Sequence, residues 1–320
     1  MRKRCCLILC AVMLLATVAE TRAAEKSVYP QRTLNYLMGF PPGGKADIQA
    51  RGLLPIVEKY LGASLMIQYA PGAAGRVGFT KIFKAKPDGY TIGHLSIPGA
   101  VLGEFMTTTE YRTREFTPIF NCFVTPQVLV VAADTYKNVE ELVQAGKSKP
   151  LTNASSGRGT SSYLAAIVMS SGLGLKEVRH VHFEGTPNAL ASVAGKHLDF
   201  SVCPTAVVAS LIHAGKLKPL MIIAEERDPA FPDVPTPKEL GYRITAMPGI
   251  DGVSGPPNLP MDKVKILEAA FLKAAKDPAF LAWAQRANMP VTVMDHVKFG
   301  RVIEEQTKEA EKYRDALLAQ

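Results

Sequence analysis

The sequence predicts an α/β protein of two lobes with a ligand cleft between them. Three observations carry this expectation. Strand-like and helix-like stretches alternate from residue 33 onward. A unit of strand, Gly-rich loop and helix occurs in each half of the chain. A Pro- and Gly-rich stretch over 228–260 leads back toward the first half.

Residues 33–40 read as a strand that ends in Pro41-Pro42-Gly43-Gly44. Ile48, Leu53, Leu54, Ile56, Val57 and Leu61 follow at mixed three- and four-residue spacings, which predicts a helix that Gly62 stops. Residues 65–69 form the next strand. Pro71-Gly72-Ala73-Ala74-Gly75 turns into a helix over 77–85, and Pro87-Asp88-Gly89 turns into a strand over 90–96. This order of β, α, β, α, β argues for a parallel sheet with helices on its faces. Residues 123–132 read as one long strand broken only by Pro126.

A second series then begins. Helices are expected at 139–145, 162–171, 189–194 and 206–214, and strands at 151–154, 178–183, 200–203 and 217–224. After the irregular 228–260 stretch, 262–275 and 279–287 are helical, and 297–318 reads as a charged amphipathic helix. The expected division places 24–127 plus 245–320 in lobe one and 128–244 in lobe two. Such a cleft is where small-molecule sites concentrate, at domain interfaces and at the carboxyl ends of parallel strands.

The first residues have the three parts of a secretory signal. Arg2, Lys3 and Arg4 precede an apolar run over 5–19, and Thr21-Arg22-Ala23 offers small residues at a cleavage site. The run is short for a membrane span, which needs about 20 apolar residues. Cys10 lies inside the run rather than after it, which disfavours a lipoprotein. The expected mature protein is periplasmic and starts after residue 23. Loss of that segment removes four basic residues and one acidic one, so the net charge falls from +8 to +5. That balance, without a basic run, disfavours nucleic acid and suits small anions. A hydrophobic share of 47% supports a real core and excludes global disorder. Cys122 and Cys203 remain, both in apolar strand-like runs where a buried thiol acts as a small hydrophobe, and they are expected to be unpaired.

The two Gly-rich loops carry the chemistry. Gly43 and Gly44 stand between a strand and a helix, where backbone N–H groups can approach an anion with no Cβ in the way. The helix N-terminus adds about half a positive charge. Asp47 reads as a first-turn acid or cap, since it would repel a carboxylate. Ser155-Ser156-Gly157-Arg158-Gly159-Thr160-Ser161 is the matching loop of the second half, with hydroxyl donors added. Either loop alone also reads as an ordinary βα turn with caps; the pair at equivalent positions favours a shared anion clamp. There is no G-x-x-x-x-G-K-[ST] and no G-x-S-x-G, and no nucleophile with its base is readable. His180 and His182 alternate on a strand but lack a third metal ligand in range. No cofactor and no metal are expected, and an enzyme is disfavoured.

Phe40-Pro41-Pro42-Gly43-Gly44 with Asp47, Ala50 and Arg51 resembles the first loop of the tripartite tricarboxylate transporter receptors, also called Bug or TctC solute-binding proteins. The resemblance continues through Pro71-Gly72-Ala73-Ala74-Gly75 with Gly78, Pro87-Asp88-Gly89-Tyr90-Thr91, the loop at 155–160 and Pro232-Asp233-Val234-Pro235-Thr236. It implies a type II periplasmic-binding fold, a carboxylate or amino-acid ligand, closure of the lobes over it, and membrane permease subunits as partners. A monomer is expected. Carried onto this chain, it implies ligand contacts from Phe40, Pro42, Gly43 and Gly44, from Ser96, and from Ser156, Gly157, Gly159 and Thr160.

Three departures bear on the ligand. Many relatives carry Asp-Asn where this chain has Cys203-Pro204. Without that Asp an amino-acid ammonium has no partner, so a dicarboxylate or an aromatic carboxylate is favoured, with Cys203 expected in the distal pocket. Tyr69-Ala70 and Tyr163 replace other residues common in relatives. A ligand sensor that presents its closed form to a signalling partner is the alternative reading, since it too needs only binding and closure.

Overall fold

The computed structural model describes residues 29–183, 185–287 and 289–315. The expected signal segment and the end of the last expected helix lie outside these residues.

Two sheets are present. The first has the order β11-β4-β10-β3-β1-β2 and comprises β1 (Leu34–Met38), β2 (Leu65–Tyr69), β3 (Thr91–Ile97), β4 (Thr117–Thr125), β10 (Gly249–Gly255) and β11 (Val291–Met294). The second has the order β7-β6-β8-β5-β9 and comprises β5 (Gln127–Ala132), β6 (Leu151–Ser155), β7 (Val178–His182), β8 (Phe200–Pro204) and β9 (Leu217–Ile223). The β1 strand pairs in parallel with β2 and β3, as the alternating pattern requires. Both sheets are nevertheless mixed, because β10 runs antiparallel to β3 and β4, and β5 antiparallel to β8 and β9.

The run expected as one strand over 123–132 is two strands in different sheets. Pro126 alone separates β4 from β5. Proline has no N–H to donate to a ladder, so the pairing ends there and the chain changes sheet. Its carbonyl accepts from the Thr205 N–H at 3.1 Å. The stretch expected to be irregular contains β10, a central strand of the first sheet.

Helices cover both faces of each sheet. Those of the first half are α1 (Lys45–Leu61), α2 (Arg76–Phe83) and α3 (Gly99–Met106). Those of the second are α4 (Val139–Ser148), α5 (Ser161–Gly172), α6 (Thr186–Ala194) and α7 (Thr205–His213). The returning chain adds α8 (Met261–Ala274), α9 (Pro278–Arg286) and α10 (His296–Glu311). The side-chain alternation of β1 sorts its residues: Leu34, Tyr36 and Met38 meet α1 and α8, whereas Leu37 meets α2 and α10 on the opposite face. On β5, Leu129 and Val131 pack with α4 and α5, and Val128 and Val130 with α6 and α7. Val101 and Leu102 of α3 and Ala310 of α10 join the α4–α5 core, which ties the returning chain to the second sheet. No helix among the described residues is long and apolar enough to cross a membrane.

Candidate functional site

The carboxyl ends of parallel strands from both sheets face one cavity of about 780 Å³. Phe40 follows β1, Ser96 belongs to β3, Ser156 follows β6 and Pro204 ends β8. Five helices also begin at its wall. Lys45 opens α1, Gly99 opens α3, Ser161 opens α5, Thr186 opens α6, and Pro204 precedes the first residue of α7. The first N–H groups of each helix have no intrahelical acceptor. Their convergence gives the cavity a positive field built from backbone alone.

Of the residues expected from sequence, Phe40, Gly44, Ser96, Ser156, Gly157, Gly159 and Thr160 line this cavity. Thr160 caps α5: its hydroxyl oxygen accepts from the Tyr163 N–H at 3.2 Å and donates to the Gly157 carbonyl at 2.9 Å. Loop two is therefore fixed by its own hydroxyl. Phe40 is held edge-on to Phe79 and to His94.

Three expected residues stand elsewhere. Pro42 is exposed and does not line the cavity. Gly43 lines a wider neighbouring cleft, and its N–H is not available to an anion, because it donates to Asp47 Oδ2 at 2.8 Å. Its φ of +80° is the left-handed conformation that glycine adopts at low cost. Asp47 is thus the reverse cap of loop one, as its place in the first turn suggests. Tyr69 donates to Asp47 at 2.6 Å and Arg51 at 3.0 Å, and these donors hold the carboxyl below its usual range although burial opposes them. Cys203 corrects the third expectation. It is 1% exposed in the apolar cluster of Val128, Val130, Leu190 and Val208, on the face of β8 away from the cavity. Its neighbour Pro204 takes the cavity position.

Arg158, whose charge loop two offers, lines the cavity as well, but the sequence reading missed the charged pair on the first sheet's side of the wall. Lys45, the first residue of α1, places its ammonium 2.6 Å from Oδ2 of Asp251 on β10, and Asp251 Oδ1 lies 3.0 Å from His94 Nε2. Burial alone would raise the Asp251 carboxyl; Lys45 and then His94 hold it well below the usual range. Lys45 was in plain view within the first loop, whereas Asp251 was hidden in a Gly-rich stretch that did not read as a strand. The turn at 72–75 and the Gly185-Thr186 start of α6 also line the cavity.

The remaining candidates fall outside it. Tyr163 is buried, with His180 and His182 edge-on to its ring at 5.1 and 5.0 Å. Asn153 Nδ2 sits 2.9 Å from His180 Nδ1, which accounts for that histidine as a packed strand residue. Cys122 and Cys203 are both free and buried, one in each sheet's core.

Residues 50–316 match the sequence profile of the tripartite tricarboxylate transporter family receptor. A UPF0065 protein of Bordetella pertussis is 32% identical over 275 residues, covering 83% of this chain and 84% of that one. A TctC solute-binding protein from Polaromonas, solved without ligand, superposes with a TM-score of 0.77 at 27% identity, over 91% of this chain and 99% of its own. The periplasmic binding protein BugD gives 0.76 at 25% identity, over 90% and 98%. The type II periplasmic-binding architecture that the family resemblance implies is thus the fold of this protein, and the chain belongs to the tripartite tricarboxylate transporter receptor family, a family of solute-binding receptors rather than enzymes.

Proposed function

We propose that this receptor captures a small carboxylate in the periplasm and presents it to the membrane subunits of a tripartite tricarboxylate-type transporter, acting as a monomer. The observation that carries the reading is the convergence of five helix N-termini on one cavity between the two sheets. Such a site stabilises an anion without a dedicated arginine and shapes itself to a flat carboxylate through several N–H donors. A dicarboxylate or an aromatic carboxylate is favoured over an amino acid. The one buried carboxylate in the wall, Asp251, is already matched by Lys45, so a ligand ammonium would find no unshared acceptor there. The apolar residues Phe40, Ala74 and Pro204 offer a surface for the uncharged part of the ligand.

The experiment is a thermal-shift screen of the mature protein against mono-, di- and tricarboxylates, aromatic acids, amino acids and sugars. A ligand that binds only the folded state at a hundredfold over its Kd stabilises it by about 2.7 kcal/mol. Stabilisation confined to carboxylates is expected. A response to sugars or amino acids with silence across carboxylates would refute the anion reading.

A further inference from the structure

An ion pair and then a hydrogen bond behind the cavity wall lead from Lys45 through Asp251 to His94, into the core of the first sheet. Lys45 is the one charged side chain that opens a helix at the wall, and its side chain is 23% exposed; Asp251 behind it is 4% exposed. A ligand in the cavity therefore meets the ammonium first, with the carboxylate shielded behind it. His94 lies on the far side of Asp251 and is also 4% exposed at its side chain. Beside His94 is a second, small cavity of about 20 Å³, lined by Gln49 of α1, His94, Asp251 and Cys122 among apolar neighbours. That volume suits one water, which needs about 10–15 Å³.

The polarity of this small cavity decides its occupant. His94 Nδ1 and Gln49 Oε1 are both buried and have no hydrogen-bond partner among the described residues. The Asp251 carboxylate accepts, so His94 Nε2 carries the proton that it donates to Oδ1. In the neutral ring Nδ1 is then an acceptor, and Gln49 Oε1 is an acceptor as well. Two acceptors facing one void cannot satisfy each other. A single water, donating one hydrogen to each, satisfies both and fixes the tautomer that Asp251 requires.

We propose that Lys45 is the point charge that meets the ligand's anionic group, and that Asp251, His94, one buried water and Gln49 form the hydrogen-bonded chain that holds it there. Lys45 is the specificity residue; Asp251 and His94 are positioning residues. The water site stands on its own geometry, whereas the role of Lys45 rests on the carboxylate reading above.

The test measures binding of succinate and of benzoate by calorimetry, with folding of every variant followed by its thermal midpoint. Lys45→Met should weaken binding about tenfold or more, the worth of a charge-assisted hydrogen bond. That single change also leaves Asp251 bare toward the ligand, so the deciding variant is Lys45→Met with Asp251→Asn. A loss that persists in the double variant supports direct contact; affinity restored to the wild-type level means that Lys45 only neutralises Asp251 and overturns the proposal. His94→Leu should weaken binding, and His94→Gln, which keeps an N–H donor toward Asp251, should restore it; equal behaviour of the two removes the positioning role. A high-resolution crystal structure should show one peak within hydrogen-bond reach of both His94 Nδ1 and Gln49 Oε1, and a dry or collapsed cavity removes the water. Wild-type protein that binds neither acid nor any other carboxylate of the screen refutes the carboxylate reading and the role of Lys45 with it, while the crystal structure still judges the water.

Discussion

A Cβ placed on Gly252 would fall 2.2 Å from Cζ of Phe299. Phe299 is fully buried, so α10 rests its ring directly on the bare backbone of β10. Gly252→Ala should therefore destabilise the fold by about 1–3 kcal/mol, the usual cost of overpacking a core. Urea unfolding midpoints for the two proteins measure this. A midpoint within error of the wild type would show that α10 yields freely, contrary to the packing seen.

This contact also explains what was not legible in the sequence. Strand reading relies on β-branched and aromatic residues in alternation. The β10 segment, Gly249-Ile250-Asp251-Gly252-Val253-Ser254-Gly255, lacks them at alternate positions because a ring of Phe299 and the side chain of Leu259 occupy the space above its glycines. It thus read as loop, and Asp251 went unnoticed with it. The opposite holds for α1 and for β1 to β3, whose apolar spacing and terminating glycines expose both their type and order. The two Gly-rich loops were readable for the same reason, since glycines and hydroxyls between a strand and a helix have few uses. What the sequence could not reveal is direction. Cys203 and Pro204 are adjacent, and only the pleat of β8 decides that Pro204 meets the cavity while Cys203 enters the core.

Thr160 joins loop two to α5 through both of its hydrogen bonds. Thr160→Ala should cost about 1 kcal/mol in stability, as for other lost N-caps. Because the same hydroxyl holds the Gly157 carbonyl, the variant should also bind carboxylate more weakly than that stability loss implies. Calorimetry well below the unfolding temperature separates the two effects. Unchanged affinity would mean that loop two keeps its shape without the cap.

Gly43 has open space around the position of a Cβ but a φ of +80°. Gly43→Ala therefore meets no steric neighbour and pays only for the left-handed backbone, about 1–2 kcal/mol. If the backbone relaxes instead, Asp47 loses the Gly43 N–H that it accepts at 2.8 Å and α1 loses its reverse cap. The expected outcome is a modest fall in thermal midpoint with a folded protein. A midpoint equal to the wild type would argue against the φ of this loop.

Cys203 belongs to the core, so its substitutions should act on stability and not on the ligand. Cys203→Asp places a carboxylate among Val128, Val130 and Val208 with no partner on that face and should unfold the protein or lower its midpoint sharply. Cys203→Ala should bind carboxylate as the wild type does. Thiol titration should find both cysteines unreactive in the native protein and reactive after denaturation, because burial raises each thiol well above its ordinary value. A change in ligand preference on Cys203→Ala would return this residue to the cavity wall.

His180 supplies a pH dependence with a definite sign. Burial, and then the neighbouring His182, push its imidazole from the ordinary 6.5 down to about 4. The folded protein thus holds the ring neutral, accepting from Asn153 Nδ2 at 2.9 Å, while the unfolded chain begins to bind a proton near 6.5. Between those two values the unfolded state carries more protons, so stability is fully present above 6.5 and is lost as the pH falls toward about 4. Once the folded state is also protonated, below about 4, this contribution adds no further loss. His180→Gln keeps a side chain able to meet Asn153 and removes the titration. Denaturant midpoints measured across that window should fall less steeply for the variant than for the wild type. Parallel curves would show that other groups, His182 among them, carry the acid sensitivity and that the His180 ring is freely hydrated in the folded protein.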